Sequence, residues 1–277
     1  MNTFDACFRQ IAAMAVMALC VPSAFAGSVT TYEWDNDYDD ILNERLAESF
    51  VHHVAPAVRW MVAEADGRVV NRDTYGSFQY QFLSSTFAEF VYTYQIDGTE
   101  YTRTYFSRSG EEQPRLPSAL GPSRHRYTDF VDTGPTEVHA FLSTYNATEI
   151  SHIPLNDGRE HDARRNDAEL KAVRSIERDI LAGTVPRGGE VTAFVSQRMC
   201  DSCARAVRLF ADLYDATVYV NAPTNIDNWA AFRFMRKRKS FLENARASLP
   251  SGFNNKPPGP PSGGPPPPPS CGAIAIH

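Results

Sequence analysis

Residues 189–220 read GEVTAFVSQRMCDSCARAVRLFADLYDATVYV, and the order of predicted elements in this segment indicates the fold class. Its first part, residues 189–196, is short, apolar and rich in β-branched residues, which is typical of a strand buried on both faces. A helix is predicted from the cysteines to Leu213, and residues 216–220 form the next apolar strand. A helix between two such strands favours a parallel pair that the helix connects.

The same alternation extends on both sides. Upstream, residues 137–142 and 148–153 are predicted to pair as strands, and a helix follows from Asn166 to Gly183. Downstream, residues 226–249 are predicted to form a long helix. The order strand, strand, helix, strand, helix, strand, helix requires a mostly parallel sheet with helices over it, so the predicted fold class is α/β.

Residues suited to metal chemistry lie where two successive helices begin. Asp167 and Glu169 are at the start of one helix, and Cys200 and Cys203 are at the start of the next, with one strand between them. In this layout both helix N-termini lie at the same edge of the sheet and can converge. Two cysteines three residues apart share a helix face, and a helix N-terminus stabilises thiolates and other anions.

Asp167-Ala168-Glu169 on one helix, then a strand, then Cys200-x-x-Cys203 resemble the zinc-dependent nucleoside and nucleic-acid deaminase superfamily, whose signature is H-x-E followed by P-C-x-x-C. The chain is most similar to deaminase domains of bacterial secreted and polymorphic toxins. This resemblance implies a cytidine deaminase-like three-layer sandwich with a mostly parallel central sheet over about residues 137–250. An α+β N-terminal region would precede it.

The resemblance also implies a site and an activity. Asp167, Cys200 and Cys203 would bind Zn²⁺, and Glu169 would activate a water molecule and then protonate the base. The reaction would be hydrolysis of a C–N bond of a cyclic amidine. The substrate would be a nucleobase, a nucleotide or a nucleic acid, and the protein an exported toxin or effector.

Two positions depart from the family pattern. Asp167 replaces His or Cys, and Met199 replaces the proline before the first cysteine. An aspartate oxygen binds zinc at about 2.0–2.2 Å, so the first change is chemically allowed, although a charged oxygen ligand makes zinc a weaker Lewis acid. His161, six residues before Asp167, is an alternative ligand.

Each element of this site also has another interpretation. Asn166-x-x-Glu169 is a capping box, in which Asn166 caps the helix and Glu169 reaches back to it. A Cys-x-x-Cys pair after a strand is also the arrangement of a thiol–disulfide oxidoreductase, although Pro223 comes too early to be the cis-proline of that fold. A third interpretation is a binding module that keeps the deaminase fold without catalysis.

The N-terminal 26 residues are predicted to be a signal peptide. Arg9 precedes a ten-residue apolar run, and Ala24-Phe25-Ala26 follows it as a small-x-small cleavage signal. Cleavage after Ala26 would leave a secreted or periplasmic chain that starts at Gly27. The apolar run is shorter than the roughly 20 residues that span a bilayer, so no transmembrane segment is expected after cleavage.

The remaining chain is predicted to contain three parts. Residues 27–133 form an α+β region with a helix at 38–64 and a hairpin at 86–106, and residues 134–250 form the deaminase-like domain. Residues 251–277 are predicted to be a disordered proline-rich tail. Such a tail suits a proline-recognising partner, and a toxin would also bind an immunity protein.

Composition and charge limit the classes of protein. The chain has 277 residues, a net charge of −6 and 12% aromatic residues, which excludes disorder of the whole chain. A polytopic membrane protein is excluded because one apolar run stands out. The five cysteines are too few for a disulfide-framed mini-domain.

The last predicted helix combines cations and aromatic residues. Its cations are Arg233, Arg236, Lys237, Arg238 and Lys239. Positive charge beside stacking rings suits single-stranded nucleic acid, and a solvated charged face is the other interpretation.

Overall fold

A computed structural model describes residues 27–34, 39–141, 150, 166–224, 238–244 and 246. The predicted signal peptide at 1–26 and the proline-rich tail at 251–277 lie outside these ranges. The same holds for most of the predicted strand at 148–153, of which Ile150 is described and buried.

The described residues form a six-stranded sheet with the order β1-β6-β5-β2-β3-β4. The strands are β1 (Ser28–Trp34), β2 (Phe87–Ile96), β3 (Thr99–Arg108), β4 (Glu137–His139), β5 (Glu190–Val195) and β6 (Thr217–Pro223). Three of the five pairings are parallel, namely β1 with β6, β5 with β6, and β3 with β4. The predicted α/β class with a mostly parallel sheet is therefore confirmed.

The predicted hairpin is β2 and β3, which pair in an antiparallel manner. Its two turn residues, Asp97 and Gly98, have φ angles of 51° and 79°. Two successive residues with positive φ are the requirement of a type I′ turn, whose twist matches that of the strands. The Asp-Gly pair is therefore the local cause of this hairpin.

The hairpin lies inside the sheet. β2 pairs antiparallel with β5 on one side, and β3 pairs parallel with β4 on the other. The sheet thus joins strands from both sides of the predicted boundary between residues 133 and 134. Residues 27–133 supply half of its six strands.

One edge of the sheet is β1, a strand that the sequence pattern did not predict. It pairs with β6 over its whole length, from Ser28 opposite Thr217 to Trp34 opposite Pro223. Gly27, just before it, lies so close to helix backbone that an added Cβ would be 2.0 Å from the carbonyl oxygen of Ala211. Glycine is therefore required at this point of close approach.

The helices are α1 (Asp39–Ala65), α2 (Arg72–Leu83), α3 (Ala168–Leu181) and α4 (Asp201–Tyr214), and residues 238–244 are also helical. α1 continues through Pro56. Short 3₁₀ helices at Ser118–Leu120 and Tyr127–Phe130 lie in the connection between β3 and β4. Among the described helices, none is both long and apolar enough to cross a bilayer.

Both faces of the sheet are covered, which gives three layers. On one face, apolar residues of α3 and α4 such as Val173 and Phe210 pack against the strands. On the other face, α1 and α2 contribute a second core that includes Trp60 and Phe78. Neighbouring residues of a strand point to opposite faces. The sheet therefore supplies side chains to both cores, and α3 and α4 share one face.

A buried carboxylate fixes the loop beside α1. Glu64 is fully buried and accepts hydrogen bonds from the backbone N–H groups of Arg124 and His125 and from the hydroxyl of Ser123, at 2.7–3.0 Å. These bonds favour the charged form and lower the pKa of Glu64 from 4.5 to about 2, against the opposing effect of burial.

We expect Glu64→Gln to lower the free energy of unfolding by about 2–3 kcal/mol at pH 7, because an amide cannot accept these charge-assisted bonds in the same way. A carboxylate with a lowered pKa stabilises the fold above its ordinary pKa. The difference between wild type and variant should therefore shrink as the pH falls from 4.5 towards 2. Urea unfolding at several pH values measures it. Glu111→Gln, at an exposed ion pair with Arg115, should cost less than about 1 kcal/mol.

Candidate metal centre

The first half of the site is the N-terminus of α3. Asp167 is the N-cap residue, with an extended backbone, and its side chain makes no capping hydrogen bond. The predicted capping box with Asn166 as N-cap is wrong for two reasons. The carbonyl oxygen of Asn166 accepts the N–H of Gly110, and helical bonding starts one residue later, from Lys171 N–H to the Asp167 carbonyl. Within the described residues, neither carboxylate oxygen of Glu169 accepts a hydrogen bond.

The second half is the N-terminus of α4, which follows β5. Cys200 is the N-cap residue, and its Sγ atom accepts the backbone N–H of Cys203 at 3.4 Å. Cys203 lies in the first turn, so both sulfur atoms are on the same side of the helix end. The capping role that serine or aspartate usually has is taken here by a sulfur atom.

Three donor atoms converge between these two helix ends. Oδ2 of Asp167 lies 3.4 Å from Sγ of Cys203 and 3.9 Å from Sγ of Cys200. The ligand atoms of the three residues all lie within 4.8 Å of one another, and all three residues are buried. Cys200 and Cys203 do not form a disulfide with each other. The predicted convergence is therefore confirmed, and the group can hold a metal ion.

The electrostatics of this group favour a bound cation. A carboxylate beside two buried thiols disfavours their ionisation when no cation is present, because like charges would be brought together away from water. A cation between the donors removes that conflict. The N-termini of α3 and α4 add partial positive charge at the same point, which stabilises the anionic ligands.

Glu169 is the fourth acidic or thiol group at this site. Its side chain is fully buried, and burial raises its pKa from 4.5 to about 8. The negative charges of Asp167 and Cys200 act in the same direction, whereas its own backbone N–H and the thiol of Cys203 act in the opposite one. A buried carboxyl group without a satisfied hydrogen bond is costly for a fold, and such groups are concentrated at functional sites.

Lys171, one turn beyond Asp167, connects the site to the end of β3. Its buried ammonium group donates to the carbonyl oxygens of Arg108 and Gly110, the first at 2.9 Å. The N–H of Gly110 in turn binds the Asn166 carbonyl. The segment after β3 is thus held against the start of α3. The sequence pattern does not single out Lys171, because a lysine in an amphipathic helix is usually solvent-exposed.

Other residues predicted to contact a ligand are placed differently. Arg238 is buried, and its guanidinium donates to the carbonyl oxygens of Phe82 and Ser85, so it does not belong to an exposed cationic face. Lys239 is exposed. Arg233, Arg236, Lys237 and the alternative ligand His161 lie outside the described residues.

Comparisons with protein-family models and with curated protein sequences found no match. The chemistry of the site therefore rests on its own residues. These are three convergent metal donors at two helix ends and a buried, unbonded carboxyl group two residues from one of the donors.

Proposed function

We propose that the chain is an exported zinc-dependent deaminase that hydrolyses an amine of a nucleobase, nucleotide or nucleic acid. The convergence of Asp167, Cys200 and Cys203 at the ends of two adjacent helices, with the buried Glu169 carboxyl group beside them, is the observation that carries the proposal. The three-layer α/β architecture is consistent with a cytidine deaminase-like fold.

The donor set supports zinc as the metal. Two thiolates and one carboxylate combine the soft sulfur and the oxygen ligands that zinc accepts. Among the described residues the site has three protein donors rather than four, which is the number found in catalytic zinc sites, where water or substrate takes the remaining position. Bound here, zinc would polarise a water molecule for attack on the amine-bearing carbon of the base.

Glu169 has the position and the chemistry of the proton carrier. It is two residues from Asp167, whose negative charge helps to raise its pKa, so a cation bound to the three donors would favour the carboxylate form that can accept a proton from the attacking water. The same carboxyl group then delivers a proton to the amine as the C–N bond breaks and ammonia leaves. Burial of the group excludes bulk water from both transfers.

The oxidoreductase interpretation has less support from the same geometry. A redox-active thiol attacks as the thiolate, which a neighbouring cation or helix N-terminus stabilises. In this chain the Asp167 carboxylate lies within 4 Å of both sulfur atoms, and it opposes ionisation in the absence of a metal. A carboxylate in this position can bind a metal ion, whereas it disfavours the thiolate form that a reactive dithiol needs.

The proposal is tested by ammonia release. We expect the purified full chain to release ammonia from at least one member of a panel of cytidine, adenosine, guanosine, their nucleotides, and single-stranded DNA and RNA. The activity should be lost after treatment with a zinc chelator and return when zinc is added.

Two results would contradict the proposal in different ways. Zinc-loaded protein that releases ammonia from no member of the panel would favour a deaminase-fold binding module. A metal-free protein that instead reduces a disulfide or oxidises a dithiol through Cys200 and Cys203 would favour the oxidoreductase interpretation.

A further inference from the structure

Three histidines that the proposed chemistry does not use lie together on the opposite face of the sheet. His52 and His53 are on α1, and His139 is at the end of β4. The ring centroids of His52 and His139 are 5.2 Å apart, those of His53 and His139 are 4.2 Å apart, and those of His52 and His53 are 5.9 Å apart. We call these three residues the histidine cluster.

The cluster is enclosed by aromatic rings. His52 stacks on Phe106 of β3 at 4.2 Å, His139 lies 4.3 Å from the ring of Phe141, and His53 lies 5.9 Å from Phe87. His53 and His139 are buried, and His52 is partly buried. The contact between α1 and the β3–β4 edge of the sheet is thus made of stacked imidazole and phenyl rings.

Among the described residues, one nitrogen of each imidazole is buried without a hydrogen-bond partner. These atoms are Nε2 of His52, Nε2 of His53 and Nδ1 of His139. They do not form a preformed metal site, because in the described part of the chain the one group of three convergent ligand atoms is Asp167, Cys200 and Cys203. A proton that arrived at any of the three nitrogens would have no acceptor in the cluster.

The charged groups around the cluster mostly oppose its protonation. Arg108 of β3 and the ammonium group of Lys171 on α3, whose own pKa is lowered to about 7 by burial, disfavour a positive charge on His53 and His139. Glu137 of β4 is the opposing negative group and acts on His52. Each imidazole that becomes charged also repels the next one, since the rings are in contact. Protonation within the intact cluster is therefore unfavourable, and opening the cluster to water removes the penalty.

We propose that the histidine cluster is an acid-responsive latch, which holds α1 against β3 and β4 at neutral pH and releases this contact when its imidazoles take up protons. His139 also lines an open pocket of about 310 Å³ at the β4 edge, so solvent lies next to the cluster. The three histidines of the latch are not metal donors of the candidate site and have no role in the proposed reaction.

The direction of the pH effect follows from the lowered proton affinity of the three imidazoles in the folded chain. Burial lowers the pKa of His52 from 6.5 to about 4, and it lowers the pKa of His53 and His139 well below 6.5. The opened or unfolded chain therefore binds more protons than the folded chain below pH 6.5. The stability that the histidine cluster contributes is complete above this pH and decreases as the pH falls towards the folded-state pKa values.

The test is the pH dependence of unfolding of the full chain, measured with urea between pH 4.5 and 7.5. Three imidazoles that stay neutral when folded and charge when unfolded change the unfolding equilibrium constant up to about a thousandfold per pH unit below pH 6. We expect this dependence to be largely lost in a variant in which all three histidines are replaced by phenylalanine. His125→Phe, at a half-exposed histidine, is the matched control and should retain it.

A second measurement on the wild type covers the case in which the triple variant does not fold. NMR titration of the histidine ring protons should show three imidazoles that remain neutral down to pH 5. Hydrogen exchange of α1 and β4 amides, corrected for intrinsic rate, should be faster at pH 5 than at pH 7. An equal pH dependence in wild type and triple variant would overturn the proposal. So would three cluster imidazoles that titrate near pH 6.5 in the folded protein.

Discussion

Glu169→Gln is expected to reduce deamination by about 10²–10⁴-fold or more, while the protein keeps its metal and its fold. The amide is nearly the same size as the carboxyl group, but it cannot accept a proton from water and return it to the leaving amine. An amide oxygen can still accept from the thiol of Cys203 and from the backbone N–H of residue 169, the two donors that lower the pKa of Glu169, so we expect the fold to be retained. Ammonia release, zinc content and melting temperature should be measured on the same preparation.

Glu177→Gln is the matched control for this variant. Glu177 is also buried on α3, but it accepts a hydrogen bond from the hydroxyl of Tyr214, far along the helix from the metal donors. This control should cost stability and keep the rate per folded molecule. If Glu169→Gln still released ammonia at the wild-type rate, Glu169 would not be the proton carrier.

Removal of a metal donor is expected to have a different effect from Glu169→Gln. Cys200→Ser, Cys203→Ser and Asp167→Ala should each lose zinc first and activity as a consequence, because every donor holds the same ion. The loss of affinity should exceed the 10–100-fold that an outer hydrogen-bond partner costs, since a direct ligand is removed. Zinc content after dialysis against a weak chelator measures the effect, and excess zinc should restore part of the activity of Asp167→Ala.

Cys271→Ser is the control for the two cysteine variants, because it removes a thiol from the proline-rich tail rather than from the site. It should retain zinc and activity. If Cys200→Ser and Cys203→Ser both retained a full complement of zinc, the metal would be bound elsewhere in the chain.

The elements around the site could be predicted because their signals are local. The apolar strand β5, the amphipathic helices α3 and α4 and the strand β6 each have a periodicity that the sequence shows directly. The order of these elements then requires that the two helix N-termini share an edge of the sheet. Asp167, Cys200 and Cys203 could therefore be brought together without coordinates.

The position of the hairpin and of β1 could not be predicted in this way. β2 pairs with β5 at a separation of about 100 residues, and β1 pairs with β6 at a separation of 189 residues between Ser28 and Thr217. β1 is also mostly exposed on both faces, so it lacks the alternation of a half-buried strand. Tertiary packing decides which strands become neighbours. The periodicity of each segment alone does not contain this information.

The surroundings of individual polar side chains also could not be predicted from the sequence. Glu169 looked like half of a capping box, because the pattern cannot show that the carbonyl of Asn166 is bonded to Gly110. The histidine cluster needs His52, His53 and His139 to meet across α1 and β4, 86 residues apart at the closest. Burial without a partner is a property of the packed chain, and it marks both Glu169 and the cluster.

The most direct test of the account is the zinc-to-protein ratio of the wild-type chain, purified without added metal or chelator, with free thiols counted in the same sample. We predict about one zinc per chain and reduced Cys200 and Cys203, because three convergent donors hold one ion. A protein without metal, in which Cys200 and Cys203 form a disulfide, would contradict the metal centre and the deaminase chemistry that depends on it.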